Sequence, residues 1–244
     1  MALLGAENGM RVWEIGPGLG AMSELLLDAG ADLTAFEIDP AYGTWLRESL
    51  ESRGLTLIEG DVLKSWEAEW ERRRPDRVLG NLPYNAASAV IAAFIESDRL
   101  ADRCVFTVQD EMGQRIIAAP GSRDYSSFSI LCQTGARITD GGRLSPGSFY
   151  PAPRVRSRIV ALEPARPHGS ILDGPVFRRI VRTLFASRRK TLGNNLIAAA
   201  SIRDFPNVDA VRSAFEAEGI DLRRRPETVS PSEWVAVANR VVRS

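Results

Sequence analysis

Nothing in these 244 residues constrains the fold more than Val12-Trp13-Glu14-Ile15-Gly16-Pro17-Gly18-Leu19-Gly20. A short apolar run, a Gly-x-Gly-x-Gly turn and then Met22, Leu25 and Leu26 at helical spacing predict strand, tight turn and helix, the opening of a nucleotide-binding α/β unit. Glycines let the backbone pass close beneath a ligand. Alone, the pattern also suits a glycine turn with no ligand, or a dinucleotide fold.

The residues that follow narrow the choice. The apolar run Leu33 to Phe36 ends in Glu37-Ile38-Asp39, an acid at the carboxyl end of a second strand, about twenty residues past the glycines, where it can accept both hydroxyls of a ribose. A third strand, Leu55-Thr56-Leu57-Ile58, ends in Glu59-Gly60-Asp61-Val62, and Asp61 can receive the exocyclic amine of an adenine. Either acid could instead be a solvated loop charge. A short fourth strand, Arg77-Val78-Leu79-Gly80, leads into Asn81-Leu82-Pro83-Tyr84. Ligands of open α/β sheets sit beyond such strand ends.

The Asn-Leu-Pro-Tyr turn suits a specific chemical problem. A nucleobase amine is a poor nucleophile because its lone pair is delocalised into the ring. An amide oxygen from Asn81 and the main-chain carbonyl of Leu82 can both accept its N–H groups, holding the lone pair toward an electrophilic methyl. Pro83 fixes the turn and Tyr84 offers a stacking face. The plainer alternative is a loop with Asn and Pro as turn formers and Tyr as packing. Four signals in this order point to methyl transfer onto a planar amine.

With those motifs, and with Val108-Gln109-Asp110-Glu111, Tyr125-Ser126-Ser127-Phe128-Ser129, Phe149 to Ser157, Phe185 to Leu192, Asn194-Asn195-Leu196 and Arg225-Pro226-Glu227, nearly the whole chain resembles the small-subunit ribosomal RNA adenine N6-dimethyltransferases, the KsgA-type family. The resemblance implies an α/β Rossmann-like methyltransferase sheet dependent on S-adenosylmethionine, with a small helical C-terminal domain. It places Gly16 and Gly18 under the methionine portion of the donor, Glu37 on the ribose, Asp61 and Val62 at the adenine, and Asn81 between donor and substrate. Asn81, Leu82 and Tyr84 then form the catalytic turn, and Phe149 covers the other face of the target base. A core aromatic is the plainer reading of Phe149. Sandwiching the base offsets part of the cost of flipping it, a few kcal/mol. Direct displacement needs neither a metal nor a covalent intermediate, and dimethylation is implied by the resemblance alone.

The implied partner is small-subunit rRNA or a pre-30S-type particle. A large-subunit rRNA methyltransferase of the antibiotic-resistance type and a noncatalytic assembly factor remain alternatives. The family also implies a Gln-Asn-Phe-Leu-like segment ahead of the first strand. This sequence opens Met1-Ala2-Leu3-Leu4, with the tail of a helix and an Asn8-Gly9 stop expected before Val12, so a start assigned downstream of the true one is the expectation.

Composition supports an enzyme with a nucleic-acid-facing end. At 44% hydrophobic content the chain can bury an α/β core and an appendage. Net charge is zero, yet residues 1–163 hold 17 Lys+Arg against 23 Asp+Glu, and residues 164–244 hold 14 against 8. That asymmetry suits a domain reading phosphates. Arg178, Arg179, Arg182, Arg188, Arg189 and Lys190 fall near helical spacing, with Arg188, Arg189 and Lys190 the main candidates for RNA contact, although such charges are often only solvated. Arg154, Arg156 and Arg158 alternate along a strand-like stretch and share one side, extending the basic face.

The expected organisation is a SAM-binding catalytic domain over 1–163, a linker at 164–169 and a basic RNA-binding domain over 170–244. Strands are predicted near 11–15, 33–37, 55–58, 77–80, 103–108, 130–137 and 156–163, and C-terminal helices at 175–186, 188–200, 207–218 and 231–242. Cys104 and Cys132, both in apolar runs, read as buried free thiols. His168 reads as an exposed linker residue. With no apolar stretch of the roughly twenty residues needed to span a membrane, a cytoplasmic monomer is expected.

Overall fold

The computed structural model describes residues 2–82, 86–149, 152 and 155–243. Its chain separates into two compact units, residues 1–113 with 137–164, and residues 114–136 with 165–244.

The first unit is built on alternating strands and helices: β1 (Arg11–Ile15), α1 (Ala21–Asp28), β2 (Asp32–Glu37), α2 (Pro40–Leu50), β3 (Thr56–Glu59), α3 (Val62–Arg72), β4 (Arg77–Asn81), α4 (Ala87–Glu96) and β5 (Arg103–Gln109). α5 (Asp110–Ile117) carries the chain into the second unit, where α6 (Ser127–Gly135) follows. β6 (Ala136–Leu144) and β7 (Ser157–Pro164) complete a sheet of order β3-β2-β1-β4-β5-β7-β6.

β1 to β5 pair in parallel and β7 runs antiparallel to β5. Because β1 lies between β2 and β4, strand order reverses there, the switch point at which such sheets open a crevice. The central strands are buried on both faces, as parallel strands covered by helices must be; Val12, Leu33, Ala35, Val78 and Phe106 are fully buried. Asp39 and Asp61 start α2 and α3 by accepting from the Ala41 and Leu63 amides, which satisfies donors that a helix N-terminus leaves unpaired.

The second unit continues with α7 (Gly174–Leu184), α8 (Leu192–Ala199), α9 (Val208–Ala217) and α10 (Pro231–Arg243). Asp173 caps α7 through the Val176 amide at 2.8 Å. Ser230 and Glu233 close a capping box on α10, with Ser230 N donating to Glu233 Oε2 at 2.7 Å and Glu233 N to Ser230 Oγ at 3.3 Å. The core of this unit holds an aromatic group among aliphatic side chains: Trp234 meets Phe215 and Phe185 with centroids 5.7 and 5.8 Å apart, and the buried Tyr125 hydroxyl donates to the Val229 carbonyl.

Several expectations change. The strand expected over 130–137 is α6, because Ser126 and Ser129 form a reciprocal cap that commits the apolar run to a helix; the strand starts at Ala136. Residues 114–136, expected in the first domain, count with the helical unit, which raises that unit to 16 Lys+Arg against 9 Asp+Glu. The helix expected from 188 begins at Leu192, since Thr191 caps it through the Asn194 amide at 3.3 Å. Residues 2–5 form turns rather than the tail of a helix. Cys104 and Cys132 are buried and unpaired, and burial pushes the Cys104 thiol up to about 12. His168 is half-buried rather than exposed. No helix among the described residues is long and apolar enough to cross a membrane.

Candidate active site

At the switch point Ile15 lies opposite Gly80 in the β1–β4 ladder, so Gly16, the first residue past β1, and Asn81, the last residue of β4, neighbour each other at the sheet's carboxyl end. Gly16, Gly18 and Gly20 all take left-handed φ, of 72, 59 and 83°, a region in which a side chain is strained. The Gly16 amide donates to the Phe36 carbonyl at 3.0 Å, which turns the loop toward β2. A Cβ placed on Gly18 would meet no heavy atom within 4 Å, leaving an accessible floor of backbone at the strand ends.

Glu37 is only 4% exposed, yet its carboxylate is hydrogen-bonded on both oxygens. Gly18 N donates to Oε2 at 3.0 Å and Asp39 N to Oε1 at 2.9 Å. A carboxylate offers about four acceptor sites, so two remain on a group held rigidly by the main chain. Asp61, half-buried, uses Oδ1 in its cap with Leu63 N at 3.0 Å, and the neighbouring Val62 is buried. This donor set, a glycine floor after β1 with fixed acids after the successive neighbouring strands β2 and β3, fits a ligand with one cationic centre and a nucleoside.

Two supports escaped sequence reasoning. Glu14, 3% exposed, accepts from Ser23 Oγ at 2.6 Å and ties β1 to α1 beneath the glycine turn. Burial raises its carboxyl to about 7, the Ser23 bond opposing and the Glu37 charge adding to the rise. An acid inside an otherwise apolar strand was the available signal. The second is Trp45, whose Nε1 donates to the Leu19 carbonyl at 3.2 Å and so anchors the turn to α2.

On the other side of β1, Asn81 ends β4 and is exposed, while Leu82 is buried and donates its amide to the Thr107 carbonyl at 3.2 Å. Gly80 makes this possible, since a Cβ there would come within 2.8 Å of Phe106 and 2.9 Å of the Leu82 side chain. Pro83 and Tyr84 lie outside the described residues, as does Arg154. Phe149 is half-buried in the first unit, in the segment between β6 and β7. Arg156 is exposed just ahead of β7. Arg158 does not join it on a basic face: it is buried, paired to Asp110 at 2.9 Å and to Asp140, because a guanidinium turned inward requires carboxylates.

The second unit holds Arg188, Arg189 and Lys190 in the turn between α7 and α8. Arg188 is half-buried and donates to the carbonyls of Arg123 and Ser122, at 2.7 and 3.3 Å, whereas Arg189 and Lys190 are exposed.

The profile of the ribosomal RNA adenine dimethylases matches residues 3–241. The chain belongs to that family. It is 38% identical over 237 residues to the ribosomal RNA small subunit methyltransferase A of Treponema pallidum, covering 97% of this chain and 83% of that protein. The protein of the same name from Borreliella burgdorferi is 39% identical, covering 97% and 80%. Among solved structures, a dimethyladenosine transferase from Plasmodium falciparum superposes with a TM-score of 0.78 at 21% identity, covering 97% of this chain and 91% of that one. The 23S rRNA methyltransferase ErmE does so at 0.68 and 20%, covering 98% and 93%. These two likenesses speak for the fold, a Rossmann-like methyltransferase sheet with a helical C-terminal region.

Proposed function

We propose that this chain methylates N6 of adjacent adenosines in small-subunit rRNA, to the dimethyl product, during maturation of the small subunit. The observation that carries this reading is the pairing of Ile15 with Gly80, which sets the glycine floor and Asn81 next to each other in a chain of this family.

Bound S-adenosylmethionine supplies an electrophilic methyl on a sulfonium that already carries its leaving group. Gly16 and Gly18 pass beneath its methionine portion. Glu37, oriented by two main-chain amides, accepts the ribose hydroxyls with its remaining lone pairs, and Asp61 receives the adenine amine beside Val62. Asn81 Oδ1 and the Leu82 carbonyl accept the two N–H groups of the target amine and turn its lone pair toward the methyl; fixed acceptors of this kind reorganise little during reaction. The amine nitrogen forms the new C–N bond, the C–S pair departs with sulfur, and the proton leaves to water. Tyr84 and Phe149 stack on the flipped base.

The exposed cations Arg156, Arg189 and Lys190, together with Arg154 and Arg188, contact RNA phosphates, and the helical unit serves as the RNA-binding domain. In the same reading the enzyme is a cytoplasmic monomer acting on rRNA or a pre-30S-type particle, without a metal.

Primer extension on small-subunit rRNA from cells lacking the gene tests the proposal. Stops at adjacent adenosines should vanish in those cells and return on complementation. Stops that persist without the gene would contradict it.

A further inference from the structure

One cluster of charges in the first unit has no part in the chemistry above. Asp110, Asp140, Arg143 and Arg158 meet where α5 begins, between the end of β6 and the start of β7. Arg158 Nε donates to Asp110 Oδ1 at 2.9 Å, Arg143 Nε donates to the same oxygen at 3.1 Å, and Arg158 also binds Asp140. The main chain joins in, with Asp110 N donating to the Arg156 carbonyl at 3.0 Å.

The side chain of Arg158 is 8% exposed and that of Asp110 18%. The Arg158 stem lies against Gly113, where an added Cβ would meet Arg158 Cδ at 2.5 Å and Cβ at 2.9 Å. Burial raises the Asp110 carboxyl, but hydrogen bonds from Arg158 and Arg143 outweigh it and hold the group below the ordinary carboxylate range. A buried ion cluster is a poor source of stability, because desolvation consumes most of its Coulomb gain and an apolar side chain of similar size serves as well. What charged, directional bonds add is a fixed geometry.

The geometry fixed here is that of the two strand ends flanking Phe149, which lies between β6, ending at Leu144, and β7, starting at Ser157. Arg143 and Asp140 hold the outgoing end, Arg158 and the Arg156 carbonyl hold the returning end, and Asp110 takes three of these four contacts. β5 carries both walls of the site. Thr107 pairs with Asn81 on one side and with Ile159 on the other, with β4 and β7 about 10 Å apart across it.

We propose that Asp110 and Arg158, supported by Asp140 and Arg143, are positioning residues that fix the strand ends flanking Phe149, and so Phe149 relative to Asn81, and thereby set the rate of methyl transfer without touching donor or base. This rests on the reading of Phe149 as the second stacking face.

The test compares Asp110→Asn, Arg158→Met, Arg158→Lys, Phe149→Ala and the double variant Asp110→Asn/Phe149→Ala, with S-adenosylmethionine and small-subunit rRNA as substrates. Asp110→Asn and Arg158→Met should lower kcat about tenfold or more, as small misplacements do, with donor KM within about twofold. Arg158→Lys should recover part of the loss. The double variant should be no slower than Phe149→Ala alone, since both changes act through one ring. Hydrogen exchange at the Phe149 amide, which donates to the Pro146 carbonyl, should quicken in Asp110→Asn without any RNA present.

A folded Asp110→Asn with unchanged kcat, a loss confined to donor KM, or losses that multiply in the double variant would overturn the brace. If Arg158→Met fails to fold, the isosteric Asp110→Asn decides. Phe149→Ala with full kcat overturns the stacking reading itself, whereas an impaired Phe149→Ala beside an unimpaired Asp110→Asn overturns the brace only.

Discussion

The main-chain amide of Gly18 donates to Glu37 Oε2 at 3.0 Å, so the turn after β1 and the acid ending β2 form one rigid element before any ligand arrives. Glu37→Gln keeps the size but puts an NH2 where Gly18 or Asp39 needs an acceptor. Hydrogen bonds to charged groups contribute roughly 1.5–3 kcal/mol, so donor affinity should fall about ten- to hundredfold with RNA affinity unchanged. Titration calorimetry with S-adenosylmethionine reads this directly; an unchanged donor Kd would remove Glu37 from the site.

Gly18 and Gly20 should respond differently to alanine. Gly20 has φ 83° and an added Cβ would lie 2.9 Å from Leu50 Cδ1 and 3.0 Å from Leu46 Cδ2, so strain of roughly 1–2 kcal/mol is compounded by core displacement. Gly18→Ala meets no neighbour within 4 Å but narrows the floor. Thermal melts should show the larger loss in Gly20→Ala, and donor binding, relative to stability, the larger loss in Gly18→Ala. Equal melting temperatures would count against this packing.

Glu14 makes stability depend on pH. Its folded carboxyl is raised to about 7 from an ordinary 4.5, chiefly by burial. Between those values the native state keeps a proton that the unfolded chain has lost, so this contribution is present at low pH and disappears as pH rises through about 7. The loss is on the order of 3 kcal/mol. Glu14→Gln, which can still accept from Ser23, should flatten the decline and be the more stable form at pH 8. Denaturation at pH 5 and pH 8 checks this, and parallel curves for the two proteins would contradict it.

Arg189 and Lys190 are exposed while Arg188 is spent on two carbonyls of the 119–125 turn. Each phosphate contact contributes roughly 0.7–0.9 to the log–log salt slope of RNA binding. Replacing Arg189 and Lys190 together by Ala should therefore lower that slope by about 1.4–1.8 with no change in melting temperature. Arg188→Ala, which also removes the bonds to the Arg123 and Ser122 carbonyls, should lower the melting temperature as well as the slope. An unchanged salt slope in the double variant would make these two residues ordinary surface.

Sequence carried most of the first unit because its signals are local. Strand periodicity, the glycine turn and the acid at each strand end all fall within a few residues of one another, and β1 to β5 lie where periodicity places them. What was hidden depends on distant partners. The Ser126–Ser129 cap turns an apolar run from strand to helix. The inward turn of Arg158 depends on Asp110, 48 positions away, on Asp140 and on the missing side chain of Gly113. Strand alternation alone makes Arg158 look like a partner of Arg156. Likewise, a free Glu37 and one gripped by two amides read identically in sequence.

The central claim is that Asn81, set beside the glycine floor, presents an adenine amine to the donor methyl. Mass spectrometry of nucleosides from unmethylated small-subunit rRNA, incubated with S-adenosylmethionine and either the wild-type protein or Asn81→Ala, tests it most directly. The account predicts N6,N6-dimethyladenosine with the wild type and at least a hundredfold less with Asn81→Ala, on the order of one lost transition-state acceptor, while RNA affinity stays within a few fold. Dimethyladenosine formed at equal rates by both proteins would contradict it.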